Sequence, residues 1–350
     1  MKRISCGWQP VLPPESGGIM TINTTLNTAT PAKPRLYWLG GLHKQREVGL
    51  TTIIVLIFIV MSFTSPYFLT WANMKAMLLS FSIEGIVVVG MTILLIVGGI
   101  DLSVGAVVCL SMVVAGQLFL SGVDPWLASL AGIAAAALVG FLMGLTVTKI
   151  GLSHFIASLA AMVIVRGLCM IITQGTPLSL FTLPLSFKFI GQGTLYSIPF
   201  VIVLFFILVV LFDFLLRKAT AFRKVFYTGS NERAAAYSGI KVNKIKLLVT
   251  VLTSTLAGVA GIIYMARLGS ATPTFGVGME LNVIAAAVIG GASLKGGTGS
   301  ILGAVLGVAL LSIVTSSLIL INVSVYWQDL IKGLILLAAV SLDHLMTKYR

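Results

Sequence analysis

Ten apolar runs set the limits on what this chain can fold into. They fall near residues 48–64, 76–98, 102–120, 125–147, 153–174, 197–216, 245–266, 281–294, 299–318 and 325–342. A helix needs about 20 residues to cross the hydrocarbon core of a bilayer, and only a helix or a closed barrel can satisfy its backbone hydrogen bonds there. The spacing predicts an all-α integral membrane protein of about ten transmembrane helices, with lipid as its surroundings. The run 281–294 is too short to cross alone and reads as a half-helix or part of a bent pair. Composition agrees: 9% of residues are charged, where soluble domains carry about 25%.

Charge fixes the expected orientation. The chain has 23 basic and 10 acidic residues. Six basic residues (Lys2, Arg3, Lys33, Arg35, Lys44, Arg46) lie before the first run. Eight more (Arg217, Lys218, Arg223, Lys224, Arg233, Lys241, Lys244, Lys246) lie between 217 and 246. With both termini cytoplasmic, these join Lys149, Lys295, Lys348 and Arg350 on one side, leaving Lys75, Lys188 and Arg267 outside. Such a bias is the positive-inside pattern of a multi-pass membrane protein. It accounts for the net charge of +13 without nucleic acid, for which no binding fold is visible. Residues 1–47, rich in Pro, Gly, Ser and Thr, read as a disordered cytoplasmic tail without the apolar core of a secretory signal. Residues 346–350 read as a second short tail, and 48–345 as the polytopic transmembrane domain between them.

Two glycine-rich stretches share one frame. Gly98-Gly99-Ile100-Asp101-Leu102-Ser103-Val104-Gly105 ends one apolar run, and Gly290-Gly291-Ala292-Ser293-Leu294-Lys295-Gly296-Gly297 ends another. The shared G-G-x-x-L-x-x-G pattern points to internal duplication, common in transporters. Two ladders of small residues, Gly132/Ala136/Gly140/Gly144 and Gly299/Gly303/Gly307, predict close helix packing.

Few ionisable groups fall at membrane depth: Glu84, Asp101, Arg166, Glu280 and Lys332, with Asp329 beside a run. Such groups are costly in lipid and face protein or water. Asp101, followed by Leu102-Ser103-Val104, reads as a helix cap or loop residue, with direct solute contact as the other reading. Arg166 reads as a buried partner or a side chain reaching for the interface. Glu280 suits the positive end of a helix. Glu84 and Asp101 are 17 residues apart, about 25 Å along one helix, and cannot pair unless the helix breaks. An ion-coupled secondary transporter using Glu84 or Asp101 stays open at this point.

Between 217 and 243 the chain is basic and patterned. Ser230 or Asn231 can cap a short helix with Glu232 in its first turn, Ala234 to Ala236 favour it, and Gly239 ends it. A capped helix between two spans suits docking of a soluble partner, or is a plain loop. On the other side, 175–196, with Pro177, Pro184 and Gly191, reads as a connector or a segment folded over a cavity mouth.

Enzymatic readings find no support. There is no Gly-Lys dipeptide, hence no phosphate loop, and neither H-E-x-x-H nor G-x-S-x-G occurs. Cys6, Cys109 and Cys169, and His43, His154 and His344, show no metal-binding spacing, so no metal or other cofactor is expected.

Three blocks together resemble the membrane permease subunits of bacterial ABC importers for monosaccharides, the ribose, xylose, arabinose and galactose branch. They are 98–105; Thr220-x-Phe222 with Gly229-x-Asn231-x-x-Ala234-Ala235 and Ser238-Gly239-Ile240; and Ala266-Arg267 through Gly278-Met279-Glu280-Leu281-Asn282 to Gly303. Arg166-Gly167 fits as well, and the likeness covers about 48–345. It implies a pore of two permease copies or related subunits, a cytoplasmic ABC ATPase, and a periplasmic or lipid-anchored sugar-binding protein. It also implies that Gly229, Asn231, Glu232, Ala234, Ala235 and Gly239 form a coupling helix for the ATPase. Gly98, Gly99, Asp101, Ser103, Gly105, Arg166, Glu280, Asn282, Gly290 and Gly291 then belong to the pathway or the pore structure. The chain departs from the family at Phe222-Arg223-Lys224, where Phe-Gly-Arg is common, and at Asn282, where Asp is common.

Overall fold

The computed structural model describes residues 37–348. The helices are α1 (Tyr37–Thr64), α2 (Trp71–Val97), α3 (Val104–Leu120), α4 (Pro125–Leu145), α5 (His154–Thr173), α6 (Leu185–Gln192) and α7 (Phe200–Lys218). They continue with α8 (Thr220–Ser230), α9 (Glu232–Tyr237), α10 (Val242–Leu268), α11 (Met279–Ile289), α12 (Ile301–Leu320) and α13 (Val325–Lys348). Each of the ten apolar runs overlaps a helix, the run 281–294 only as far as Ile289. Among the described residues, seven helices are long and apolar enough to cross a membrane: α1, α2, α4 with the π turn that extends it to Ile150, α5, α7, α10 and α12. At 17 and 11 residues, α3 and α11 are shorter, about 25 and 16 Å long. Residues 37–47, expected as tail, are helical and open α1.

Local chemistry sets the helix ends. Thr70 caps α2 by accepting from the Asn73 amide at 3.4 Å. Asp124 caps α4 by accepting from Trp126 N at 2.9 Å, with Pro125 as its first residue. Ser153 and Ser300 cap α5 and α12 in the same way.

At the centre stands α2. Of its most apolar stretch 89% is buried inside the protein, against 6% for α1, so α2 faces protein and α1 faces outward. Around α2 pack α7, α8, α10, α11 and α12. The small-residue ladder of α4 lies against α3 and α10: a Cβ on Gly140 would meet Ser254 Oγ at 2.6 Å, and one on Gly132 Ser111 O at 2.5 Å. Apolar faces of α4 and α5, with Leu138, Leu142, Val163, Ile164 and Ile171, stay exposed, as lipid-facing residues do.

The connector 175–196 is tied down. It contains β1 (Leu178–Ser179), paired antiparallel with β4 (Ser270–Ala271), then α6, then β2 (Thr194–Leu195), paired with β3 (Ile198–Pro199). Gln192 Nε2 donates to Arg267 O at 2.9 Å, fastening α6 to the end of α10.

Candidate functional site

The basic end of the bundle carries the first cluster. The short helix α9 has the caps expected of it. Asn231 Oδ1 accepts from the Ala234 amide at 3.0 Å, and Gly239, at φ +81°, ends the helix in the left-handed region. Ala235 faces inward and is buried, while Tyr237 is 92% exposed. Glu232 Oε2 meets Lys246 Nζ of α10 at 2.7 Å, and its side chain is still 55% exposed. A bridge so wet contributes at most about 1 kcal/mol. The helix α8 before it, with Val225 and Thr228 buried, was not expected from sequence.

Behind this segment the two glycine frames meet. Gly98, at φ +88°, stops α2, its amide donating to Leu95 O at 2.8 Å. The Gly297 amide donates to Ile96 O at 2.8 Å. A Cβ on Gly229 would overlap that same Ile96 oxygen, and one on Gly297 would lie 2.8 Å from Ser230 Cα. Gly296 approaches both Gly98 and the Gly229 carbonyl. The end of α2, the α8–α9 junction and the 290–300 loop are thus packed backbone on backbone. Gly290 lies against Gly303 of α12, Gly291 turns the chain at φ +96°, and Gly99 packs on Leu94 and His154.

Asp101 sits apart from this contact. It is fully buried, and its Oδ1 accepts from Ser103 N at 2.7 Å and Ser103 Oγ at 2.6 Å, organising the turn into α3. Its Oδ2 has no hydrogen-bond partner among the described residues. α2 does end between Glu84 and Asp101, at Gly98, but about 20 Å of unbroken helix separates Glu84 from that end, so the break does not bring the carboxylates together.

A second cluster surrounds a dip of the chain into the bundle. After β4, residues 272–278 run between α3 and α5 before α11 starts. Cys109 Sγ donates to Pro273 O at 3.2 Å, and Arg166 Nη1 donates to Phe275 O at 2.6 Å and Pro273 O at 3.2 Å. Arg166 therefore holds a backbone segment by its carbonyls. Gly105, in the first turn of α3, is in close backbone contact with Gly276, and the Glu280 carboxylate lies beside it. Glu280 Oε1 accepts from the Gly278 amide at 3.1 Å. One carboxylate thus stands at the first turns of two helices, where the backbone dipoles favour negative charge.

Asn282, one turn further on, opens onto a cavity of about 290 Å³ between α2, α11, α12 and α13, lined also by Glu84 and Lys332. Sequence reading named those two charges but not their meeting. The missed signal is a set of polar residues at helical spacing on one face of α2 and one face of α12.

The chain matches the family described as "Branched-chain amino acid transport system / permease component" over residues 73–340. It belongs to that family. Among curated relatives it is 38% identical to the ribose import permease protein of Bacillus subtilis (strain 168) over 290 residues, covering 83% of this chain and 90% of the relative. The ribose import permease protein of Escherichia coli (strain K12) is 37% identical over 321 residues, 91% and 99% of the two chains. The D-allose transport system permease protein of the same strain is 34% identical over 306 residues, 86% and 93%. No solved structure matches. This permease is accordingly a multi-pass membrane transport protein.

Proposed function

We propose that this permease is the membrane-spanning subunit of an ATP-driven importer that brings a monosaccharide or similar small polyhydroxy solute into the cytoplasm. The near full-length likeness to permeases named for ribose, D-allose and L-arabinose carries the reading toward sugars, although the family description names amino acids. A separate cytoplasmic ABC ATPase powers it, and a periplasmic or lipid-anchored binding protein supplies the solute. Two permease copies, or two related subunits, enclose the pore, and both termini face the cytoplasm of a bacterial inner membrane. Residues 48–345 form the transport domain, flanked by 1–47, of which 37–47 open α1, and by 346–350, of which 346–348 close α13.

The coupling segment is 217–243. In it α9 offers an exposed, capped surface, with Gly229, Asn231, Glu232, Ala234, Ala235 and Gly239 setting its shape and seat. Its backing by backbone, instead of flexible side chains, suits an element that passes movement from a docked ATPase to α2 and the 290–300 loop. Gly98, Gly99, Asp101, Ser103, Gly105, Arg166, Glu280, Gly290 and Gly291 shape the frame around the pathway, and Asn282 lies nearer the pathway itself.

Purification of the tagged protein from native membranes, with mass spectrometry, tests the assembly. A near-stoichiometric ATPase carrying a phosphate loop, together with ATP-dependent sugar uptake by the reconstituted complex, is the expected result. Absence of an ATPase, with uptake collapsing under a protonophore, would overturn it in favour of ion coupling.

A further inference from the structure

The cavity beside α11 is built from faces that would otherwise be hard to explain in a membrane. On α2 it is lined by Asn73, Ser80 and Glu84, and on α12 by Ser312 and Thr315. The α2 residues are spaced by seven and four and so share one helix face, spanning about 16 Å along the axis. Elsewhere α2 is almost wholly apolar and buried from Ile86 to Val97, Thr92 excepted. Polar side chains at this depth are costly unless they face protein or water. Here they converge from four helices.

Charge across the space is balanced. Glu84 and Lys332 both line it, and their charges attract. A second cavity of about 310 Å³ shares Asn282, Leu311 and Lys332 with the first and extends the space past the start of α11. Each volume is near the lower end of the range for small-molecule sites, about 300 Å³ upward. A carboxylate only accepts hydrogen bonds, an ammonium only donates, and amides and hydroxyls do both. That mixture matches a neutral solute whose hydroxyls donate and accept around its whole edge.

We propose that this cavity is a solute-contact site on the translocation route, with Glu84, Asn282 and Lys332 as its principal contacts to a neutral polyhydroxy solute. The proposal rests on the sugar-importer reading above. It places solute contact within one subunit, beside the half-length helix α11, in addition to any space between two subunits.

The test uses the whole complex, purified with its own ATPase and binding protein and reconstituted in liposomes, with radiolabelled D-ribose, D-allose, L-arabinose and L-leucine as probes. Ser80→Cys and Thr315→Cys are treated with a small sulfonated methanethiosulfonate. The expected result is labelling well above that of a Cys6→Ser parent, whose remaining Cys109 and Cys169 are buried, and an uptake loss of at least about tenfold on labelling. Asn282→Leu and Glu84→Gln should lower uptake about tenfold at unchanged permease-to-ATPase ratio: the first removes a hydrogen-bonding partner from a desolvated solute, and the second replaces an accepting oxygen by a donating nitrogen and removes the charge facing Lys332. Cysteines that do not react, or that react without loss of uptake, overturn the cavity proposal, as does unchanged uptake in Asn282→Leu and Glu84→Gln. Wild-type uptake of L-leucine and of none of the sugars overturns the polyhydroxy assignment. A wild-type complex without any ATP-driven uptake instead rejects the importer reading, and cysteine reactivity still reports on the cavity by itself.

Discussion

The amide of Gly297 donates to the carbonyl of Ile96 at 2.8 Å, joining the second glycine frame to the end of α2 that precedes the first. Gly229 sits against the same carbonyl oxygen, so one backbone atom is the meeting point of three distant segments.

Gly229→Ala tests that contact. The added Cβ would overlap the Ile96 oxygen, which is backbone and cannot rotate away. Overpacking of this kind costs about 1–3 kcal/mol. The purified permease should melt at a lower temperature, and ATP-driven uptake should fall steeply. Wild-type melting and uptake would show that α8 and α9 can shift away freely.

Asn231→Ala removes the cap of α9, for which a cost of about 1 kcal/mol is typical. Asn231→Asp keeps the accepting oxygen and should behave like the wild type. Hydrogen exchange at the Ala234 amide, the group that Asn231 Oδ1 holds at 3.0 Å, should speed up in the first variant alone.

Glu232→Lys breaks the bridge to Lys246 and sets two ammonium groups together. The bridge itself contributes no more than about 1 kcal/mol, so the protein should still reach the membrane in normal amount. On the proposed coupling role uptake should nevertheless be lost, because the exposed carboxylate would face the docked ATPase. The reversed pair, Glu232→Lys with Lys246→Glu, should not restore transport; restoration would assign the effect to the internal bridge.

Arg166→Lys is not a conservative change. The guanidinium reaches the carbonyls of Pro273 and Phe275 through one nitrogen, and a compact ammonium on a different stem cannot reproduce that geometry. Loss of hydrogen bonds to a charged donor costs about 1.5–3 kcal/mol. Thermal unfolding in detergent should show it, with relative uptake of different sugars unchanged in whatever protein folds.

The caps of α9 were legible in sequence because Asn231, the alanines and Gly239 act over a few residues. The apolar runs located the helices for the same local reason. What sequence did not disclose depends on distant contacts: that Gly229 rests on Ile96, that Glu280 stands at the first turns of both α3 and α11, and that Glu84 and Lys332 line one cavity. Arg166 was recognised as unusual, but a partner made of backbone carbonyls leaves no side-chain pattern to read. The extent of α11 was hidden by apolar residues that continue past Ile289 through the turn at Gly290 and Gly291. The connector 175–196 hid α6 because its fold depends on the end of α10.

The ladder of small residues on α4 leaves no spare volume against α3 and α10. Surfaces packed that closely do not slide by degrees, so these three helices move as one solid piece during a transport cycle. The freedom needed to open one side and close the other is then concentrated in the remaining helices. Two cavities lie there too, among α2, α11, α12 and α13. On the proposed coupling role, a stroke received at α9 would be delivered through Ile96 to the end of α2, the helix that borders both the solid piece and the yielding one.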